Sequence, residues 1–329
     1  MLPPPSAIGP EAVFNRVSDL VASLAVAEPQ RGLLRTALTG LKLQAQEDEF
    51  LIFARVPLLV YAGCGGEAMA AVPLAAATTL LFLGIDILDD LADGDLPGHW
   101  QGYRPSEINL TATTLLAALP QLIIAELDAP ASRLAAMQRT LALGLLRMSA
   151  GQQRDLALAG SSMVSPREVE DLVAAKSGAE VAMFATLAAQ FAGAGLEAVN
   201  AYAEFGRTLG TGAQLASDCH DLFQAPHSKD LANGTRTLPI ALFLKRLSGE
   251  ERTSFLTLLE QARVDVAAQE AVRGRLRPSG VVRHCAFMVE LYCQRGLRAL
   301  EQAAPREPAA TGLKALVDGI SFFPQKDRG

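Results

Sequence analysis

The stretch LGIDILDDLADGD crowds Asp86, Asp89, Asp90, Asp93 and Asp95 into ten residues, directly after a long uncharged run. Wound as a helix, Asp86, Asp89 or Asp90, and Asp93 fall on one stripe. Like charges this close repel, and the C-terminal end of a helix makes carboxylates less comfortable still. A bound divalent cation resolves the repulsion. Carboxylate oxygens suit Mg²⁺, which takes one or two of them and completes its shell with water and phosphate oxygens. A second cluster lies in QLASDCHDLF, where Gln214 stands one turn before Asp218 on the same side and Asp221 three residues after it. Read alone, either cluster is also compatible with a solvated acidic helix end, although such stripes usually alternate with Lys or Arg. Together they say more, because each follows an apolar helix and precedes a loop. If the two helices face each other across a bundle, their carboxylates become opposite jaws around a metal–diphosphate cluster.

Helices must position these groups. The chain has 329 residues, half of them apolar and 19% charged, so a large core can form. Ala and Leu dominate and aromatics make up 5%, which favours helix over strand. Periodicity broken at Gly, Pro and polar clusters predicts helices near 11–26, 31–45, 49–63, 67–93, 106–127, 131–159, 166–193, 197–224, 235–247, 250–261, 265–275, 279–303 and 308–320. Strand-like alternation is nearly absent. The expected fold is all-α: a Pro-rich, disordered leader over 1–10, then one helical domain over 11–329. Ala68 to Ile85 carries no charge and is long enough to raise a membrane span. Its Pro73, Thr78, Thr79 and Gly84 favour a buried helix instead, and no span is expected. The net charge of −6 leaves no footprint for nucleic acid. Cys64, Cys219, Cys285 and Cys293 show neither CxxC pairing nor zinc spacing, and read as reduced thiols of a cytoplasmic protein. The N-terminus MLPPPSAIGPEAVF does not read as a signal peptide.

With the motifs set in order, the sequence resembles the polyprenyl synthetase family, the trans-isoprenyl diphosphate synthases. DDLAD (89–93) matches the first motif, DDxxD, and GQQRD (151–155) matches GQxxD. KSG (176–178) matches KTG, QLASDCHDL (214–222) resembles the second acidic motif, and DLANGTRTLP (230–239) resembles DLxxGKxTLP. The resemblance implies a helical bundle around a central cavity, the isoprenoid synthase fold, and a homodimer. It implies that Asp89, Asp93 and Asp218, with Asp221, hold several Mg²⁺ ions and through them the diphosphate of an allylic prenyl diphosphate, and that Asp90 belongs with Asp89, Asp93 and Asp218 to the catalytic set. Lys176 would grip the same diphosphate, and the C–O bond would ionise to an allylic cation. Gln152, Gln214, Lys229 and Arg236 are the further substrate-binding candidates.

The departures bear on the outcome. Chain-elongating members carry a basic GGKxxRP segment for isopentenyl diphosphate; here the stretch reads EDEFLIFARVPLLV, with Arg55 alone. Phe82 stands near the place of a usual histidine, and the arginines after the first motif are replaced by GDLPGHWQGYRP, with Arg104 late in the loop. Thr235 replaces the Lys of GKxTLP. The allylic site therefore looks intact and the second diphosphate site depleted, which favours a terpene synthase. The alternatives are a prenyltransferase, elongating or using another acceptor, and a non-catalytic partner subunit. Gly84, one turn before Asp89, is read as leaving room for a C15 or C20 chain. Among the other polar residues, Asp86 is a candidate support for Asp90 and Asp155 for Gln152. His99 and Trp100 belong to a lid or a plain exposed loop. His220 is read as pointing around the helix from Asp218, and Cys219 as a buried small residue.

Overall fold

The computed structural model describes residues 10–47 and 51–323, with the side chains of 44–47 excepted. Apart from Pro10, the expected leader therefore lies outside the described residues. The described residues form α1 (Pro10–Ser23), α2 (Glu28–Glu47), α3 (Ile52–Gly63), α4 (Val72–Asp93), α5 (Pro105–Thr113), α6 (Leu119–Ala125), α7 (Ala131–Leu158) and α8 (Pro166–Val173). They continue with α9 (Ala179–Phe191), α10 (Leu196–Phe223), α11 (Lys229–Asn233), α12 (Leu238–Arg246), α13 (Gly249–Gln261), α14 (Val266–Leu276), α15 (Val281–Ala303) and α16 (Ala309–Ile320). No strand occurs among them, as the composition predicts. The short α11 is absent from the periodicity because five residues are too few to show a period. Two runs that read as unbroken helices contain π turns, Thr114–Ala118 and Ala174–Gly178.

The chain divides into two compact units. The first comprises Met1–Leu141, Phe184–Tyr202 and Leu300–Leu316. Its centre is α4, which packs on α1, α3, α5, α6 and the π turn between the last two. The uncharged run exists for this reason. Leu74, Ala75, Ala76, Ala77, Leu80, Leu81 and Leu83 are all buried, so the helix is apolar all round. The two buried threonines find partners: Thr78 Oγ donates to the Phe53 carbonyl at 2.8 Å and Thr79 Oγ to the Ala75 carbonyl at 2.7 Å. By length and apolarity alone, Ala68–Asp93, Pro105–Ala125 and Pro166–Phe191 are each sufficient to cross a membrane; 67%, 44% and 56% of their most apolar windows are buried inside the protein.

The second unit comprises Ala142–Met183, Ala203–Ala299 and Val317–Gly329. Here α10 lies directly on the π turn Ala174–Gly178. A Cβ on Gly206 or Gly210 would come closer than 3.0 Å to the carbonyl oxygens of Val181 and Ser177. One on Gly178 would stand 2.5 Å from Thr211 Oγ, and one on Gly151 3.3 Å from the Lys176 amide nitrogen. Only bare backbone allows these segments to approach so closely. The C-terminal end of α10 is closed by Arg273 of α14, whose buried guanidinium donates to the carbonyls of Leu222 and Ala225, both at 2.7 Å.

This packing makes a prediction with an internal control. Gly210→Ala should lower stability by about 1–3 kcal/mol or more, through overpacking against backbone that cannot retreat. Gly274→Ala, inside α14 with nothing within 4 Å of the new Cβ, should raise it by about 0.5–1 kcal/mol. Urea titrations of the two variants read both signs.

Candidate functional site

The first acidic motif occupies the last turns of α4. Asp86, Asp89 and Asp90 are partly buried and Asp93 is exposed. Gly94, at φ 72°, ends the helix, and the N–H groups of Gly94 and Asp95 both donate to the Asp90 carbonyl. The carboxylates therefore sit where the sequence places them, on a helix that stops immediately beyond. The loop that follows is anchored by Trp100 rather than exposed throughout. Trp100 is 3% exposed and meets Tyr103 edge-on at 6.0 Å between centroids. The Tyr103 hydroxyl lies 3.3 Å from Thr36 Oγ on α2, and the His99 ring rests against Gly40 of the same helix. Burial lowers the His99 pKa.

One further expectation around α4 changes. Gly84 does not leave room for a substrate tail: a Cβ there would stand 3.0 Å from both the Ala112 carbonyl oxygen and the Leu116 nitrogen. The glycine serves the close approach of α4 to α5 and its π turn, so it gives no ground for choosing a C15 or C20 chain. Phe82 stacks on Phe53 of α3 at 4.2 Å between centroids, with the rings 15° apart.

The second unit brings together most of the other motif residues. Lys176 sits on the π turn, a helix irregularity that recurs at functional sites. Its Nζ lies 3.4 Å from Asp155 Oδ2 of the GQQRD motif. Asp155 is thus the partner of Lys176 rather than a support for Gln152. From the next residue, Ser177 Oγ donates to Gln214 Oε1 at 3.0 Å, and Gln214 Nε2 donates to Asp218 Oδ1 at 2.7 Å. Asp218 is 7% exposed. Burial pushes its carboxyl up to about 7; the Gln214 hydrogen bond and Lys176 pull it down, while Asp155 and Asp221 push it further up. The Gln152 side-chain oxygen is buried and has no hydrogen-bond partner among the described residues.

The remaining candidates are differently engaged. Asp221 accepts from Ser228 Oγ at 2.5 Å and from the N–H groups of Lys229 and Asp230 at 3.0 and 3.2 Å. It therefore caps the start of α11. The Lys229 side chain is exposed. Arg236 is 5% exposed and donates to the carbonyls of Ser161 and Gly234 at 2.9 and 3.3 Å, with Glu260 at 3.4 Å. His220 is exposed, and Cys219 is buried beside Cys285, its thiol partner. The loop after Asp221 is also clamped by Gln269, which exchanges hydrogen bonds with both backbone groups of Ser228 at 2.9 and 3.2 Å. Sequence reading misses Gln269 and Arg273, because neither belongs to a local pattern near the acids they brace. A separate cleft of about 290 Å³ between α1 and α2, lined by Ser18, Val21, Arg35, Leu38, Thr39 and Lys42, contains none of the motif residues.

The model of the family described as polyprenyl synthetase matches residues 58–274, a span that includes every one of these motifs. The chain belongs to the polyprenyl synthetase family. Among its relatives, a geranylgeranyl diphosphate synthase of Mycobacterium tuberculosis is 27% identical over 278 residues, covering 79% of this chain and 77% of that one. The geranylgeranyl pyrophosphate synthetase of Pyrococcus horikoshii superposes with a TM-score of 0.81 at 20% identity, over 95% of both chains. A polyprenyl synthase of Caulobacter crescentus, solved with calcium and isoprenyl diphosphate, superposes with a TM-score of 0.79 at 19% identity, over 94% of both chains. The fold is the all-α isoprenoid synthase fold of this polyprenyl synthetase family.

The donor chemistry of these acids suits a hard divalent cation. All are carboxylates, and buried Asp218 carries acidic neighbours whose charge a cation would offset. Among the described residues no group of three or more His, Cys, Asp or Glu converges as a ready-made centre. Mg²⁺ held by one or two carboxylates and completed by ligand phosphates needs no such group.

Asp218 sets a pH dependence. Its folded-state pKa lies above the ordinary aspartate value of 3.8, so between pH near 4 and near 7 the folded chain keeps a proton that the unfolded chain releases. Stability without divalent cations should therefore be highest below this window and fall as pH rises through it, by at most about 1.4 kcal/mol per pH unit. Asp218→Asn should flatten that slope. Thermal melts in chelator across the window check both.

Proposed function

We propose that the chain is a Mg²⁺-dependent trans-prenyltransferase, a prenyl diphosphate synthase that ionises an allylic prenyl diphosphate and extends it. The observation that carries this reading is the connected set Asp155, Lys176, Ser177, Gln214 and Asp218, held in one unit of a polyprenyl synthetase family chain. The relatives support elongation over the terpene synthase favoured by the sequence, for which they offer no support: those described are prenyl synthases.

In this reading Asp89, Asp90 and Asp93 of the first motif are cation-binding carboxylates, and Asp218 of the second motif is another. Mg²⁺, when bound, supplies positive charge that stabilises the departing diphosphate. Lys176 donates to diphosphate oxygens as the C–O bond lengthens, with Asp155 fixing the direction of its ammonium. Gln214 holds Asp218 in place and Gln152 contributes a buried amide. Lys229, exposed at the start of α11, is assigned to the outer diphosphate oxygens. Asp221 and Arg236 are assigned to holding the loops around α11, because their polar atoms are committed there. A homodimer belongs to the same reading. Leu110 of α5, Leu122 of α6 and Leu146 of α7 are exposed apolar surface of the kind a second copy covers. The four free cysteines suit action in the cytoplasm.

A terpene synthase is the second reading, favoured by one observation. Arg104, the arginine in the loop after the first motif, is exposed and paired with Glu107 at 3.1 Å, at the start of α5. Incubation with Mg²⁺ and geranyl, farnesyl or geranylgeranyl diphosphate, with and without isopentenyl diphosphate, separates the two. The expected product is a longer prenyl diphosphate that forms only when isopentenyl diphosphate is present. Hydrocarbon or terpene alcohol formed without it would establish the second reading, and no turnover in any combination would point to a non-catalytic partner subunit. Lys176→Ala should lower kcat about 100-fold or more while the far-ultraviolet circular dichroism stays that of the parent.

A further inference from the structure

Helix α15 has two unlike faces. Val281, Cys285, Val289, Tyr292 and Cys293 are buried. Arg283, Phe287, Gln294, Arg295 and Arg298 are exposed, and at helical spacing they share one arc, with exposed Glu301 at its end. Phe287, 64% exposed, stands in the middle of these arginines. It is not isolated. One turn along, the Glu290 carboxylate accepts from Ser321 Oγ at 2.5 Å and from the Phe323 N–H at 3.3 Å. Those bonds hold the segment after α16 beside this face, with Phe322 43% and Phe323 58% exposed. None of Arg283, Arg295 and Arg298 forms an ion pair among the described residues; Arg295 lies 5.3 Å over the Tyr292 ring.

We propose that this face docks on an anionic lipid surface. The arginines meet headgroup phosphates, and Phe287, Phe322 and Phe323 enter the boundary between headgroups and acyl chains. Their apolar stems and rings suit that boundary, where charged tips stay wet. The chain as a whole carries −6, so attraction to anionic lipid resides in a local face rather than in net charge. An acidic protein surface would satisfy the arginines but leave three aromatic rings without an apolar partner.

The test uses the full chain and sedimentation with vesicles of phosphatidylcholine alone, or with about one third phosphatidylglycerol. Binding is expected to the anionic vesicles only, and should weaken as salt rises. Arg283→Gln and Arg298→Gln should each reduce partitioning about fivefold. Phe287→Ser should reduce it at every salt concentration, and its thermal melt shows that it remains folded. Three outcomes would overturn the proposal: equal retention on neutral vesicles, no loss in any folded variant, or binding to a random-sequence RNA with none to anionic vesicles. A dimer in sedimentation velocity that Phe287→Ser converts to monomer would overturn it too, by making the face a contact between copies.

Discussion

The approach of α10 to the π turn Ala174–Gly178 is the constraint on which the second acidic motif depends. Three glycines, at 178, 206 and 210, remove the side chains that would hold the two backbones apart. Gly151 does the same where GQQRD meets that turn. Only at this separation does Ser177 reach Gln214, which in turn donates to Asp218 one turn along its own helix. The widened turn also changes which way Lys176 faces relative to a regular helix, since a π turn shifts the register of everything after it. Close packing is thus converted into direction: backbone contact sets the side-chain geometry, and that geometry sets the electrostatics around Asp218.

In the first unit the same helix supplies both core and chemistry. The buried length of α4 anchors it among α1, α3, α5 and α6, and its last turns then carry acids. A helix held over so much of its length cannot rotate, so the position of its last turns is fixed with its core. The αL cap at Gly94 and the Trp100 anchor in the following loop fix the end as firmly as the body.

Much of this was legible in the chain. Helix periodicity located nearly every long helix, because each buries one face or, in α4, all of them. Type and spacing marked Asp89, Asp93 and Asp218 as candidates, and the family resemblance added Lys176. What the sequence did not yield was non-local or subtle in backbone. A π turn leaves the apolar pattern almost unchanged, so KSG reads as ordinary helix. Gly84 reads as empty space because a missing side chain says nothing about what fills its place, and here the Ala112 carbonyl does. Trp100 reads as a loop residue because its partners on α2 lie far back in the chain. Gln269 and Arg273 brace a loop more than forty residues away, and no local rule connects them to it.

Asp218 and Asp221 show why residue type alone does not assign a role. They lie one turn apart on one helix, and the sequence treats them alike. Asp221 meets three donors from the start of α11, so its charge is satisfied by the fold itself. Asp218 is more deeply buried, and one amide donor, Gln214, is set against two acidic neighbours. A carboxyl in that position ionises less readily than an ordinary aspartate even with Lys176 nearby, and added positive charge would favour its ionised form. The donors at the start of α11 satisfy Asp221 and do not reach Asp218, and on the proposed function this leaves Asp218 rather than Asp221 to take part in binding. Any reading of this second motif that weighs its acids equally overlooks that difference in hydrogen-bond supply.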